Sequence, residues 1–586
     1  MEEFHRHFIV FLPGIITAYL SLRIFSFSNQ SAVPQSSHVH CIGRDPLVYR
    51  NIGQELKLAV HKFGNREAIV SCHEGQRETF ASIQTKVDKL SAALFKLGLK
   101  PGDAVGIWAP NNIHWYLSFL AATKVGLVSV GINPAFQAPE VKYCINKVNV
   151  KAIIAAEAFK TQNYYQILNE IIPEVAYSEP GKIKSEQVPS LRSLIIDSKQ
   201  RLPGAYRFSD LLDFANSSDV DDIKKKLDEV DPDVPCNIQF TSGTTGHPKA
   251  TVLSHFGFVN NGIQTGNRNE LNVKHQRICT QVPLFHAYGV VISIMAAMSH
   301  GATLVLPAAG FSPEASLRAI ADEKCTVIHG TPTMYVDLIS KQRELQLPIE
   351  SAEIGVTGGS PCTPRLFEEI REVLGLKKVK SVFGLTETTA VIFQSLTEET
   401  DEHVLQTVGH IQDHVEAKVV DSDGKVVPFG KPGELCIRGY MNMLEYYGDE
   451  VKTKETIGRD RWLKTGDQFI LHQNGYGRIV GRLKEMIIRG GENIFPKEIE
   501  DFLTNHPDVL EAYVIGIEDE RLGEEICAFV RLRKDAGTLT QLQVKDFCKG
   551  KLAHFKVPKY VHVVSDFPKT TSGKIQKFKL KDLHYK

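Results

Sequence analysis

Residues Phe240 to His255 read FTSGTTGHPKATVLSH, continuing from the apolar stretch Ile238-Gln239-Phe240. Such a stretch is costly to order, because glycines and hydroxyl residues gain little from burial. Its composition suits one task well. Phosphate oxygens need backbone N–H donors at close range, and glycine lets the backbone approach. Hydroxyls add donors and a lysine adds charge. Thr241, Ser242, Gly243, Thr244, Thr245, Gly246, His247, Pro248 and Lys249 are therefore read as a phosphate-binding loop. It is not of the common NTPase type, since His247-Pro248 separates Gly246 from Lys249 and Ala250 follows the lysine. The competing reading is a plain glycine/threonine turn.

Working outward, apolar runs alternate with helical patterns. Ile83, Val87, Leu90, Leu94 and Leu97 lie on one helical face, and Gly98 ends it. AVGIWA (Ala104–Ala109) and LVSVGI (Leu127–Ile132) read as strands around the helix HWYLSFLAATKVG, and KAIIAA, ATLVLP, CTVIHG and EIGVTGG repeat the unit. Strands alternating with helices predict an α/β fold with parallel sheets covered on both faces, where ligands bind at the carboxyl ends of strands. Thr241–Lys249, Thr357–Pro361 and Gly384–Thr388 each follow an apolar run and are such loops. After Val408 short β runs with glycine-rich turns predict a β-rich subdomain. The last hundred or so residues predict a small α+β domain, with DVLEAYVIGI, ICAFVRLR and KYVHVV as strands and LTQLQVKDFCKGKL as a helix. The expected division is 1–44, 45–483 and 484–586, with the boundary near Lys484.

The 586 residues balance 68 basic against 68 acidic side chains, so no global charge draws the chain to nucleic acid. Ten cysteines are scattered singly, without the close spacing of a metal knuckle or redox pair, and read as reduced thiols that mostly fill the core. FIVFLPGIITAYLSL (Phe8–Leu22) is apolar but short for a membrane span and interrupted by Pro13. A signal peptide or anchor, an organelle presequence and an ordinary helix all stand as readings, so membrane association through 8–22 is one expectation. Ser28–His40 is polar and reads as a linker. The final residues carry no peroxisomal address.

TSGTTGHPK, PLFHAYG, VTGGSP, FGLTETT, WLKTGDQ, GRLKEMIIRGGENIFPKEIE and PKTTSGKIQK, in that order, resemble the signature motifs of the adenylate-forming superfamily of acyl- and aryl-CoA ligases, luciferases and adenylation domains. The resemblance runs from about Asn51 to Leu580. INPAFQAPEVKY, LAHFKVPKY and SGKIQKFKL most resemble the acyl-CoA synthetase family member 2 group, medium-chain fatty acid–CoA ligases that are typically mitochondrial. The resemblance implies ATP, Mg²⁺ and CoA, and a fatty acid as partner. It implies that Thr241–Lys249 holds the departing phosphates, that Thr386 touches the α-phosphate and that Glu387 holds Mg²⁺, a hard cation suited to oxygen ligands. Phe383 stands where the family usually has tyrosine, keeping an aromatic face for adenine but no hydroxyl. Gly358 and Gly359 would let the backbone pass against the nucleotide, Asp467 would accept both ribose hydroxyls, and Arg482 would contact ribose or phosphate. His286 is expected beside the acyl carboxylate and Lys574 as the catalytic lysine. The implied small domain is mobile: it turns about Lys484, withdrawing Lys574 and bringing in Gly490-Gly491 for the pantetheine arm of CoA. Lys484 and Arg489 are candidates for CoA phosphate contacts or solvated charges.

The expected activity is therefore ligation of a fatty acid to CoA through an acyl-adenylate. An aryl-CoA ligase or luciferase-like oxidase is the alternative within enzymes. A catalytically inactive nucleotide- or acyl-binding protein is the alternative outside them. No carrier domain is seen, which favours CoA as the acceptor.

Overall fold

The computed structural model describes residues 36–241, 248–359, 362–490, 492–534, 536–549 and 551–585. Ser242–His247, Gly491 and the apolar segment Phe8–Leu22 lie outside the described residues. Two large sheets and a smaller one make up the bulk, and a further sheet follows Lys484.

The first large sheet has parallel strands Ala104–Trp108, Val128–Gly131, Ala152–Ala156, Ser193–Asp197 and Pro235–Thr241. Strand Lys249–Ser254 then runs antiparallel to Pro235–Thr241, with Thr241 opposite Lys249. The phosphate-type loop thus bridges two strands of one sheet rather than a strand and a helix. The second large sheet places Lys378–Phe383, Ile354–Gly358, Val327–Gly330, Arg277–Thr280, Thr303–Leu306 and Glu67–Ser71 side by side, all parallel. Helices cover both sheets, as the alternating pattern predicts.

Helix Phe80–Lys96 shows the local logic. Thr79 accepts the Ser82 N–H at its start, and Gly98 leaves it at φ 87°. Ile83, Val87, Leu90 and Leu94 are wholly buried, each worth roughly 1.5–3 kcal/mol relative to exposure. Helix Ile113–Lys124, capped by Asn112, is buried on nearly all sides, and Lys124 satisfies its charge on the buried Asp88.

The β-rich part is a five-stranded antiparallel sheet that includes Val415–Val420, Pro432–Gly439, Leu463–Leu471 and Gly477–Arg482. Its outer strand corrects one expectation. His38–His40, read as linker, pairs with Val415–Val420, Val39 lying opposite Ala417. Val39 and Cys41 pack against the core that holds Ile437 and Phe469. Three residues with one apolar side chain carry too little pattern to mark a strand.

Past Leu483–Glu485, a short turn containing Lys484, the strands Ile487–Arg489, Val509–Asp519, Gly523–Leu532 and Tyr560–Val563 form a separate sheet with its own core. Helix Gln541–Cys548, capped by Thr540, is shorter than LTQLQVKDFCKGKL suggests: its backbone turns extended at Lys549, just before Gly550. Seven of the ten cysteines are buried and all are free; Cys72 is exposed, and Cys41 and Cys362 are partly so. Among the described residues, no helix is long and apolar enough to cross a membrane.

Candidate active site

The carboxyl ends of the central strands open into a cavity of about 1980 Å³, roofed by the C-terminal unit. Thr241 and Lys249 enter from the hairpin, Gly358 and Gly359 from the end of Ile354–Gly358, and Phe383, Thr386 and Glu387 from the turn after Lys378–Phe383. Asp467, Arg482 and Lys484 come from the β-rich sheet and the turn after it, and Lys574 comes from the C-terminal unit. His286 lines the same cavity. Gly490, at φ 58°, is not among the lining residues.

The turn after Phe383 is held in an unusual shape. Thr389 and Ala390 have φ of 48° and 86°, left-handed values that cost roughly 1–2 kcal/mol each in residues with a Cβ. Thr389 Oγ1 donates to the Met441 carbonyl at 2.6 Å, and the Glu387 carbonyl accepts the Met443 N–H at 2.8 Å. These bonds hold the strain where it presents Thr386 and Glu387 to the cavity, a common place for it. A Cβ on Gly384 would lie 2.0 Å from the Ala390 carbonyl oxygen, so only glycine allows this fold-back. On Gly358 it would lie 2.3 Å from the Val382 oxygen, which explains the first of the two glycines through strand packing.

Asp467 and Arg482 face each other across neighbouring strands and meet at 2.6 Å. Asp467 is 1% exposed, and its second oxygen, Oδ2, is buried without a hydrogen-bond partner. Burial pushes its carboxyl up to about 6, with Arg482 pulling the other way. A buried acceptor without a donor, on a cavity wall, is a place for ligand hydroxyls. Phe383 stacks on Phe469, ring centres 5.8 Å apart, so its ring is fixed where it meets the cavity.

His286 accepts the Tyr288 N–H on Nδ1 at 3.2 Å, which leaves Nε2 as the protonated donor of the neutral ring. Burial, with the Lys574 ammonium adding to it, pushes its pKa down to about 3. His286 is therefore a neutral donor across the physiological range. Beyond it, residues 288–295 wind as a π-helix and present Tyr288 and Ile292 to the cavity beside Val336.

Lys574 is delivered by docking of the C-terminal unit. Thr333 Oγ1 donates to the Gly573 carbonyl at 2.8 Å, and Thr571 Oγ1 donates to Asn133 Oδ1 at 2.8 Å. Arg533 pairs with Glu369 at 2.9 Å at another point of the same interface. Burial and the nearby Arg482 lower the Lys574 pKa, and Glu387 and Asp467 oppose this. Gly573 sits at φ 80°, and a Cβ there would meet Thr331 Oγ1 at 2.8 Å and Thr333 Oγ1 at 3.0 Å. The left-handed cost alone is worth about tenfold. Gly573→Ala is expected to slow acid-dependent ATP–pyrophosphate exchange by ~10-fold or more, while thioester formation from supplied acyl-adenylate stays near wild type.

A profile of AMP-binding enzymes matches residues 56–447, and one of the AMP-binding enzyme C-terminal domain matches residues 498–574. The chain belongs to the AMP-binding enzyme family. Among curated relatives of this AMP-binding enzyme, the zebrafish (Danio rerio) medium-chain acyl-CoA ligase ACSF2, mitochondrial, is 44% identical over 94% of this chain and 92% of its own. The human (Homo sapiens) protein of the same name is 41% identical over 93% and 89%. The crystal structure of anthranilate CoA ligase AuaEII with anthranoyl-AMP shares the fold, with TM-score 0.80 at 24% identity over 92% of this chain and 98% of its own.

One residue of the AMP-binding enzyme's site was not legible in its motifs. Lys249 Nζ donates to the Tyr446 hydroxyl at 2.7 Å, and that hydroxyl donates to Glu387 Oε1 at 2.7 Å. Lys249 also lies 4.1 Å from the centre of the Tyr446 ring and 3.8 Å from Glu387. Tyr446 thus joins the loop lysine to the acidic residue of the strained turn. Nothing in LEYYGD distinguishes Tyr446 from Tyr447, and its partner is 59 positions away. The donor set fits Mg²⁺: one carboxylate, with a hydroxyl holding Oε1 and no other acid in this group, suits an ion that takes most ligands from phosphate and water. Tyr446→Phe removes a hydrogen bond to a charged group, worth ~10–100-fold, and is expected to raise the Mg²⁺ concentration needed for half-maximal pyrophosphate exchange.

Proposed function

We propose that this chain ligates a medium-chain fatty acid to CoA in two steps, with Lys574, His286, Thr386 and Glu387 at the reacting groups and Asp467, Arg482, Phe383 and the Thr241–Lys249 loop on ATP. The observation that carries the reading is the meeting of Lys574 with Asp467, Arg482, Glu387 and His286 in one cavity. In the first step a carboxylate oxygen of the acid attacks the α-phosphorus of ATP, and pyrophosphate leaves. Lys574 lies between the two anions and offsets their repulsion. His286 offers its Nε2–H to the acid's other oxygen. Asp467 takes the ribose hydroxyls on its free oxygen, and Phe383 gives adenine a ring face. Glu387 would hold Mg²⁺, whose charge helps neutralise the phosphates. In the second step the sulfur of CoA attacks the acyl carbon, AMP leaves, and the thiol proton passes to solvent.

In the second step the thiol must reach the acyl carbon that Lys574 shields during the first, so Lys574 must withdraw. Rotation about Lys484 would do this, and the absence of Gly490 from the cavity lining in the present arrangement supports it. Tyr288, Ile292 and Val336 offer the acid an apolar wall, which favours an alkyl chain. The relatives named medium-chain ligases and mitochondrial support that chain length and the mitochondrion as compartment. The test is acid-dependent pyrophosphate exchange over short-, medium-, long-chain and aromatic acids, followed by CoA. Greatest exchange with medium-chain acids, and thioester on CoA addition, is expected. Response to aromatic acids alone would refute the fatty-acid assignment.

A further inference from the structure

The C-terminal unit carries a group of side chains that ligation does not use. Cys527 lies on strand Gly523–Leu532, His562 on Tyr560–Val563 and His584 at the end of helix Lys577–His584. The strands are parallel neighbours, with Cys527 opposite Tyr560 and Phe529 opposite His562. Alternate residues share a face, so Cys527, Phe529, Tyr560 and His562 point the same way. The His562 ring stacks on Phe529 at 4.9 Å, and the helix brings His584 over Tyr560 at 4.8 Å. Cys527 Sγ lies 3.6 Å from His584 Nδ1, which lies 2.9 Å from His562 Nε2. All three atoms fall within 4.8 Å of one another. No carboxylate belongs to the group.

Tetrahedral zinc, with Zn–S near 2.3 Å and Zn–N near 2.05 Å, needs S···N separations of about 3.5 Å and N···N of about 3.3 Å. The cysteine and His584 already stand at the first distance. The two imidazoles need to part by a few tenths of an ångström, and Cys527 Sγ and His562 Nε2, which lie within 4.8 Å of each other, need to stand at about 3.5 Å, an adjustment that falls to the partly exposed His562 ring. We propose that Cys527, His562 and His584 form a three-ligand Zn²⁺ site on the C-terminal unit, with water at the fourth position. Thiolate and imidazole are the ligands this ion prefers. Binding displaces the thiol proton of Cys527 to solvent. It also moves the proton shared between the rings, leaving His562 protonated on Nδ1 and His584 on Nε2. Cys527 is buried while both histidines are partly exposed, so the ion enters past the rings. The ion ties the terminal helix to the sheet, and that helix starts at Lys577, just after Lys574.

The test uses the full-length protein, freed of metal with a chelator, desalted, and titrated with Zn²⁺ alone or Co²⁺ alone. One zinc per chain is expected, and Co²⁺ should give thiolate-to-cobalt absorption in the near ultraviolet. Cys527→Ser should abolish that band, and Cys548→Ser, at another buried cysteine of the same unit, should keep it. His562→Gln and His584→Gln change partly exposed rings and spare the core; with unchanged circular dichroism, each should weaken zinc by at least the ~10–100-fold that loss of an outer-shell partner costs. Absence of stoichiometric zinc, a band that survives Cys527→Ser, or unchanged affinity in the folded histidine variants would each overturn the site, the pair then being a histidine–histidine hydrogen bond beside a filler thiol.

Discussion

Lys574→Ala loses acyl-adenylate formation by ~10²–10³-fold, the scale of removing one preorganised charge partner from a transition state, while ATP still binds. The expectation follows from how the lysine is held. Its backbone N–H donates to Thr570 Oγ1 at 3.0 Å, and Gly573 before it is pinned by Thr333. The ammonium therefore reaches the cavity on a fixed stem. Asp467, Arg482, Phe383 and the hairpin, which would carry ATP, remain when it is cut back. Initial rates of acid-dependent pyrophosphate exchange, beside nucleotide affinity from calorimetry, check the split. Loss of nucleotide affinity in step with exchange would mean that Lys574 binds ATP rather than serving the reacting groups. Supplied acyl-adenylate should still be converted to thioester by the variant, because that step needs the lysine out of the way.

Asp467→Asn raises the KM for ATP by ~10–100-fold, the value of hydrogen bonds to a charged acceptor, and at the same time stabilises the free protein at alkaline pH. The second effect follows from burial. The carboxyl is pushed up to about 6 in the folded chain against 3.8 in the unfolded one. The folded state thus binds the proton more tightly, so this group favours folding most below pH 4, and its contribution falls as pH rises through 6. Above that the buried charge costs about 3 kcal/mol. Asparagine removes the cost, and Arg482, 39% exposed, keeps contact with solvent. The variant's Tm should exceed wild type by ~1–4 °C at pH 8, and the gain should shrink toward pH 5. Thermal unfolding at the two pH values measures it. A variant less stable than wild type at pH 8 would show that the ion pair outweighs desolvation.

Much of the site could be read from short motifs because several of them lie on one turn at the end of one strand. Gly384–Thr388 and Thr357–Gly359 announce themselves by glycines that the backbone requires, as the clash distances at Gly384 and Gly358 show. The alternation of strand and helix predicts the parallel sheets through buried side chains such as Ile83 and Val105, whose periodicity is a local property. Features that depend on distant partners were illegible. Tyr446 acts through Lys249 and Glu387, far from it in sequence. His38–His40 becomes a strand only because Val415–Val420 offers it an edge. Cysteine spacing revealed no metal ligands, since His584 is 57 positions from Cys527. The left-handed Thr389 and Ala390 carry no composition signal, because neither residue type favours that conformation.

The most direct measurement is mass spectrometry of a single-turnover mixture of the full-length protein with octanoate, ATP and Mg²⁺, without CoA. Octanoyl-AMP and pyrophosphate are expected in amounts matching the protein, with the adenylate consumed as thioester and AMP appear when CoA is added. ADP and an acyl phosphate, or no activated acid at all, would contradict it.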